Sequence, residues 1–197
     1  MHLLDWFIKR KIPKEIESYT YKVMHITDTP DMTFGFLETV IRLVSPDMIV
    51  HTGDFVDNCK LELSRKDIDI YERRIQSLLK VLRSNNKKQI VMCLGNHDDE
   101  VIVKKYIRSD EVLCHDKTMK VEGLTLAMAH YYHQCSKEAD ICLFGHSYDQ
   151  VSDYGKRILL NGLDGVFVFD ACSKKIAMIP YPKDTDYYRQ KKFKIGL

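Results

Sequence analysis

Residues 89–98 read QIVMCLGNHD. Five residues, Ile90 to Leu94, form an unbroken apolar run of strand length, and the run stops at a glycine, an amide, an imidazole and a carboxylate. A short continuous apolar run is what a strand buried on both faces requires. The polar residues then fall just past its carboxyl end, which is where α/β folds bind ligands.

The same ending recurs along the chain. KVMHIT (22–27) runs into Asp28, and DMIVHTGD (47–54) ends in Gly53 and Asp54, with Asp57 just beyond. LTLAMAH (124–130) ends in His130, and DICLFGH (140–146) ends in Gly145 and His146. Five successive strand-like runs thus end in Asp, Asp, Asn–His, His and His. If these ends gather on one rim, they make a cluster of oxygen and imidazole-nitrogen donors. Such a set suits borderline divalent metals such as manganese, iron and zinc. A pair of such ions generates a nucleophile at neutral pH and clamps the oxygens of a phosphate. Glycines at 53, 95 and 145 let the backbone turn tightly beside such a cluster.

Helical patterns separate the first runs. TFGFLETVIRLV (33–44) places Leu37, Val40, Ile41 and Val44 on one face. SRKDIDIYERRIQSLLKVL (64–82) carries a stripe of Ile68, Tyr71, Ile75, Leu78, Leu79 and Leu82, and Ser64 and Asp67 have capping-box spacing. DEVIVKKYI (99–107) predicts a short helix. From residue 111 the pattern changes to short strands separated by turns: EVLCHD, TMKVEG, LTLAMAH, DICLFGH, KRILLNG, GVFVFD and KKIAMI. The predicted architecture is α/β, two packed β-sheets flanked by helices. Residues 1–20 read as an amphipathic helical extension, with Leu3, Leu4, Phe7 and Ile8 as its apolar residues, and residues 21–197 as the main domain. The polar, basic tail DTDYYRQKKFKIGL (184–197) reads as an arm or a loosely held end.

Bulk composition bounds the function. The 197 residues are 45% apolar and 29% charged, enough to bury a core without staples. A net charge of +2 gives no strong trap for nucleic acid or a membrane surface, so nucleic acid is an unlikely partner. No run is long enough for a membrane span. The six cysteines are scattered without a CxxC pair, and no leader pattern precedes them, so a reducing, cytoplasmic setting is expected. His25 and His51 sit inside strand-like runs and read as satisfied core histidines, and Asp57 as a cap or a supporting residue.

The order D…GDxxD…GNHD…H…GH, from residue 22 to about 180, resembles the calcineurin-like metallophosphoesterases. The resemblance implies an αββα sandwich, two divalent metals and hydrolysis of a phosphomonoester or phosphodiester. It implies that Asp54 bridges both metals and that Asn96, His130 and His146 complete the second site. It further implies that His97 meets the phosphate and aids the leaving group, with Asp98 holding its ring. Asp28 would serve the first metal. Two departures strike that metal. Family members carry Asp-x-His where this chain has Asp28-Thr29-Pro30, and Gly-His-x-His where it has Gly145-His146-Ser147-Tyr148. One metal is firmly expected, and a second is open. Tyr148 as a phenolate, Asp31 or Asp149 are candidate replacement ligands. A small phosphorylated substrate is the implied partner, with self-association open. The alternative is the same fold kept as a scaffold or binding module.

Overall fold

The computed structural model describes residues 7–84, 89–149 and 157–189. Ten strands form two sheets. The larger has the order β10-β9-β1-β2-β3-β4, the smaller β5-β6-β7-β8. In the larger, β1 (Lys22–Ile26), β2 (Met48–His51), β3 (Gln89–Cys93) and β4 (Val112–Cys114) run parallel. Beyond β1 the sheet continues with β9 (Val166–Asp170), antiparallel to β1, and β10 (Ile176–Ile179), antiparallel to β9. The smaller sheet contains β5 (Asp116–Val121), β6 (Leu124–Ala129), β7 (Ile141–Phe144) and β8 (Ile158–Asn161), with β6, β7 and β8 mutually parallel. The seven short strands predicted from residue 111 onward are all present.

The unbroken apolar runs are explained by burial on both faces. Val23, Met48, Val50, Val91 and Cys93 face the smaller sheet and pack on Leu126, Met128, Ile141 and Leu143. Their neighbours Met24, Ile26, Ile49, Ile90 and Met92 face the other way and pack against the helices. Those helices are Phe34–Val44 and Ile68–Leu82, whose stripes Leu37, Val40, Ile41, Val44 and Tyr71, Ile75, Leu78, Leu79, Leu82 lie in the same core. Ser64 caps the 3₁₀ turn Arg65–Asp67 that leads into the second helix, its Oγ accepting the Lys66 N–H at 3.3 Å; the expected capping box with Asp67 does not form, and the helix itself starts without a side-chain cap. The outer face of the smaller sheet packs Ala127, Ala129, Cys142 and Phe144 with Tyr132 of a 3₁₀ turn.

Ile8, Ile16 and Tyr19 of the N-terminal stretch are buried in the helix-side core; residues 1–6 lie outside the described residues. The tail differs from its expectation. Residues Thr185–Tyr188 form a helical turn, and Arg189 after it is buried, so this part is docked rather than loose. Residues 190–197 lie outside the described residues. Among the described residues, no helix is long and apolar enough to cross a membrane.

His25 and His51 are wholly buried, as their strand positions predict. His25 Nε2 pairs with Thr52 Oγ1 at 2.9 Å, and His51 Nε2 with Thr29 Oγ1 at 2.9 Å. Burial pushes both pKa values down to about 3. A histidine held neutral in the fold but titrating near 6.5 when unfolded costs stability as pH falls through 6.5 toward 3. A His25→Gln variant loses this term. Its stability relative to wild type, measured by urea denaturation, should therefore improve by about 2 kcal/mol between pH 7.5 and pH 5. An unchanged difference would refute the assignment.

Candidate metal centre

Parallel pairing brings the strand ends to one rim. Ile26 of β1 is level with His51 of β2, and His51 with Met92 of β3, so Asp28, Asp54 and Asn96 all lie just past one edge. In the smaller sheet Met128 is level with Leu143, which carries His130 and His146 past the same end. Backbone bonds lock the loops together: Asp28 N–H donates to Gly53 O at 2.9 Å and Thr29 N–H to Asp54 O at 3.0 Å. His146 N–H donates to Asp28 Oδ2 at 3.1 Å. Asp28, Asp54 and His146 all adopt positive φ (46°, 53° and 70°). Left-handed backbone at a non-glycine residue costs about 1–2 kcal/mol, and such strain clusters at functional sites.

Two glycines are fixed by close approach. A Cβ at Gly95 would stand 2.3 Å from Asp54 Oδ1, and one at Gly145 would stand 2.2 Å from Thr27 Oγ1 and 2.4 Å from Asp28 Oδ2. The sequence GN in one loop and GH in the other thus make room for the carboxylates.

Four side chains converge. Asn96 Oδ1 lies 2.9 Å from His130 Nε2 and 3.1 Å from His146 Nδ1. The two ring nitrogens are 3.2 Å apart, and Asp54 Oδ2 is 3.5 Å from His130 Nε2. His130 Nδ1 faces the Thr52 carbonyl at 2.8 Å, so Nδ1 carries the proton and Nε2 presents a lone pair. Asn96 Nδ2 donates to Glu62 Oε2 at 2.5 Å, which turns Oδ1 toward the histidines. Acceptor atoms so close repel unless a proton or cation lies between them. Donors about 2.1 Å from one ion sit roughly 3.0–3.4 Å from each other in octahedral or tetrahedral shells. Asn96, His130 and His146 meet this spacing for a divalent metal, and Asp54 adjoins them through His130. Oxygens or ring nitrogens of Asp28, Asp54 and His130 also lie within 4.8 Å of one another.

The other half of the rim is different. Pro30 opens a 3₁₀ turn, and its carbonyl accepts from Thr33 N–H and Oγ1–H at 2.9 and 2.7 Å. Tyr148 is 46% exposed, and its hydroxyl donates to Leu163 O at 3.2 Å and Asp186 Oδ1 at 3.0 Å. Burial raises the pKa of that hydroxyl, against phenolate formation. The Asp31 carboxylate is ion-paired with Arg74 at 2.8 Å, and Asp149 is exposed. None of the three candidate replacements is directed into the carboxylate cluster in this structure.

His97 is half-buried at the mouth of the site, its N–H on Asp54 Oδ1 at 2.9 Å. Burial, with the Lys60 charge beside it, pushes its pKa down to about 4. Asp98 does not hold the His97 ring. Its Oδ2 accepts the N–H groups of Asp54 and Gly95 at 2.9 and 2.8 Å, and its Oδ1 accepts Phe55 N–H and Tyr71 Oη–H, both at 2.9 Å. With four donors in place, Asp98 pins the Asp54 loop to the Gly95 loop. Near the His97 ring stand Glu62, whose Oε2 is 3.8 Å from Nδ1, and the buried Asp54 and Asp57, which share a 4.8 Å cluster with it.

Electrostatics press on this cluster. Burial and the charges of Asp28 and Asp98 raise the Asp54 pKa well above the carboxylate range. Burial, Asp28 and Asp54 push Asp57 up to about 8. Crowded, desolvated carboxylates of this kind bind a cation or a proton.

Several site residues escaped the motif reading. Lys60 and Glu62 lie in KLEL, separated from GDFVD by two residues, and match no part of the motif. Tyr131 packs on the His146 ring at 4.3 Å between centroids, and its only signal was adjacency to His130. Arg189 carried no signal at all.

Residues 21–170 match the calcineurin-like phosphoesterase family. The chain belongs to this family. It is 31% identical over 111 residues to the UDP-2,3-diacylglucosamine pyrophosphatase LpxG of Chlamydia muridarum, a match of 53% of this chain and 30% of that protein. This chain thus spans about a third of the length of that relative. A structure described as a novel archaeal phosphodiesterase superposes with a TM-score of 0.56 at 16% identity, over 81% of this chain and 99% of that one. Yfce, a phosphoesterase from E. coli, superposes at 0.51 and 13% identity, over 82% of this chain and 100% of that one. At such identities the structures establish a shared fold, two sheets flanked by helices.

Proposed function

We propose that this calcineurin-like phosphoesterase hydrolyses a phosphomonoester or phosphodiester in a small phosphorylated substrate. A divalent ion of manganese, iron or zinc would be held by Asp54, Asn96, His130 and His146, with Asp28 alongside. The observation that carries the reading is the convergence of those four side chains, in contacts of 2.9–3.5 Å that run through His130 and Asn96. Such an ion supplies Lewis acidity and lowers the pKa of water. The chain's own residues supply the rest. Asp98 and Tyr71 fix the loops that carry Asp54 and Asn96. His97, neutral at pH 7, offers an N–H to a phosphate oxygen, and a bound phosphate anion draws its pKa back up toward proton delivery. Residues 21–197 would form this unit, with 1–20 as an extension, in a cytoplasmic setting.

Two measurements test this. Purified chain with added manganese is expected to cleave bis(p-nitrophenyl) phosphate or p-nitrophenyl phosphate above an Asp54→Asn control. A sugar nucleotide with a pyrophosphate link belongs in the same panel, given the Chlamydia relative. No turnover on any of these would overturn the reading. Saturating manganese, at about 1,000 times its dissociation constant, should stabilise the fold by about 4 kcal/mol. That corresponds to a rise of roughly 8–16 °C in melting temperature. No shift would remove the metal from the reading.

One observation favours a second reading, a binding scaffold: Pro30 and Tyr148 contribute no ligand to the first metal. A scaffold retains its binding partner after His97→Ala, whereas the hydrolase loses turnover.

A further inference from the structure

The side of the rim that Pro30 and Tyr148 deprive of metal ligands is supplied with positive charge by the chain itself. Asp57 has a fully buried side chain, and its Oδ2 has no hydrogen-bond partner among the described residues. Its Oδ1 accepts the ammonium of Lys60, three residues on, whose side chain is 15% exposed. The same ammonium acts on its neighbours: it draws the Asp54 carboxyl down and lowers His97.

A second cation stands behind Asp28. Arg189 is 1% exposed, and its Nε donates to Asp28 O at 2.8 Å across 161 residues of sequence. Its Nη2 reaches Thr27 O at 3.4 Å, and its Nη1 donates to Leu163 O at 3.1 Å and Asp186 Oδ1 at 2.8 Å. The guanidinium lies over the Tyr181 ring at 4.5 Å. Tyr148 belongs to this network, since its hydroxyl uses the same Leu163 carbonyl and the same Asp186 oxygen. The residue that stands where the family carries a metal ligand thus shares both its acceptors with a buried arginine. A buried guanidinium is retained only where charge and acceptors compensate it. Asp28 and Asp186 provide that charge.

We propose that Lys60, with Arg189 behind Asp28, takes over the charge-neutralising work of a first metal ion, so that this site holds a single divalent ion. Lys60 is then the cation that faces the phosphate across from that ion, beside His97. The proposal rests on the metal-centre reading above and gives its two departures a purpose. Pro30 frees the turn from ligation, Tyr148 joins the arginine network, and Lys60 balances the carboxylates from the front.

The test is metal stoichiometry on the full chain. Elemental analysis would be paired with electron paramagnetic resonance, because an isolated Mn²⁺ and a coupled pair give different spectra. Wild type, saturated with manganese and freed of excess, is expected to hold one ion per chain with the spectrum of an isolated ion. Lys60→Met should release Asp57 and Asp54, raise the stoichiometry toward two and produce the coupled spectrum. Lys60→Arg should keep one ion. Adding Asp57→Asn to Lys60→Met should return the count to one. Two coupled ions in wild type, or one unaltered ion in Lys60→Met, would overturn the proposal while leaving the phosphoesterase reading intact. No bound ion in wild type would overturn both. If Lys60→Met does not fold, the wild-type count and spectrum decide alone.

Discussion

Asp54→Asn protein is expected to lose phosphoesterase activity by roughly 10³-fold, and to bind manganese at least about 100-fold more weakly, while its apo form melts no lower than wild type. The two halves of this expectation have different causes. Asp54 supplies the carboxylate closest to the His130–His146–Asn96 convergence, so an amide there removes the charge that holds the ion. Stability goes the other way. Burial, Asp28 and Asp98 all disfavour the ionised Asp54, so a neutral isostere relieves crowding in the apo fold. The asparagine Oδ1 still accepts the His97 N–H. Calorimetry of metal binding, a melting curve without metal and a kinetic assay separate the two. A clearly lower apo melting temperature would mark Asp54 as a structural residue and refute the argument.

The second large effect falls on Asp98, with the opposite signature. Its carboxylate terminates four hydrogen bonds, three from the backbone of Asp54, Phe55 and Gly95 and one from the buried Tyr71 hydroxyl. Asp98→Ala leaves these donors without their acceptor, and deletion of one partner of such a group is the costly direction. About 3 kcal/mol of stability should be lost, a fall of roughly 6–12 °C in melting temperature. Activity should fall too, through displacement of the Asp54 and Asn96 loops. Asp98→Asn keeps one acceptor oxygen and should recover part of the stability. A melting temperature within a degree of wild type would show that the four bonds add nothing.

The sequence carried what depends on strand endings. Apolar runs that stop at Asp28, Asp54, Asn96, His130 and His146 are legible because a strand buried on both faces has no other place for a donor. The departures at Pro30 and Tyr148 were legible as identities. Their consequence was not, because it depends on Arg189, 161 residues from Asp28, in a tail whose polar composition reads as loose. Tyr71 illustrates a milder limit. Its spacing places it correctly in the helix stripe, and it is buried there, yet nothing local says that its hydroxyl reaches Asp98. For Asp98 the family resemblance implies a role holding the His97 ring. A carboxylate next to a histidine in sequence is free to turn to four nearer donors, and it does.

The strand order of the larger sheet bears on how the chain is made. β1 is flanked by β2 on one side and by β9 on the other, with Val23 level with Met48 and Lys22 with Asp170. While the polypeptide leaves the ribosome, β1, β2 and β3 have the partners for a nascent parallel core well before β9 exists. Until then β1 presents an open edge, the kind of surface that recruits chaperones or other nascent chains. Asp28 is translated 161 residues before the guanidinium that backs it. The buried charge at Asp28 is therefore backed by its guanidinium only after β9, the strand that covers β1, has been made.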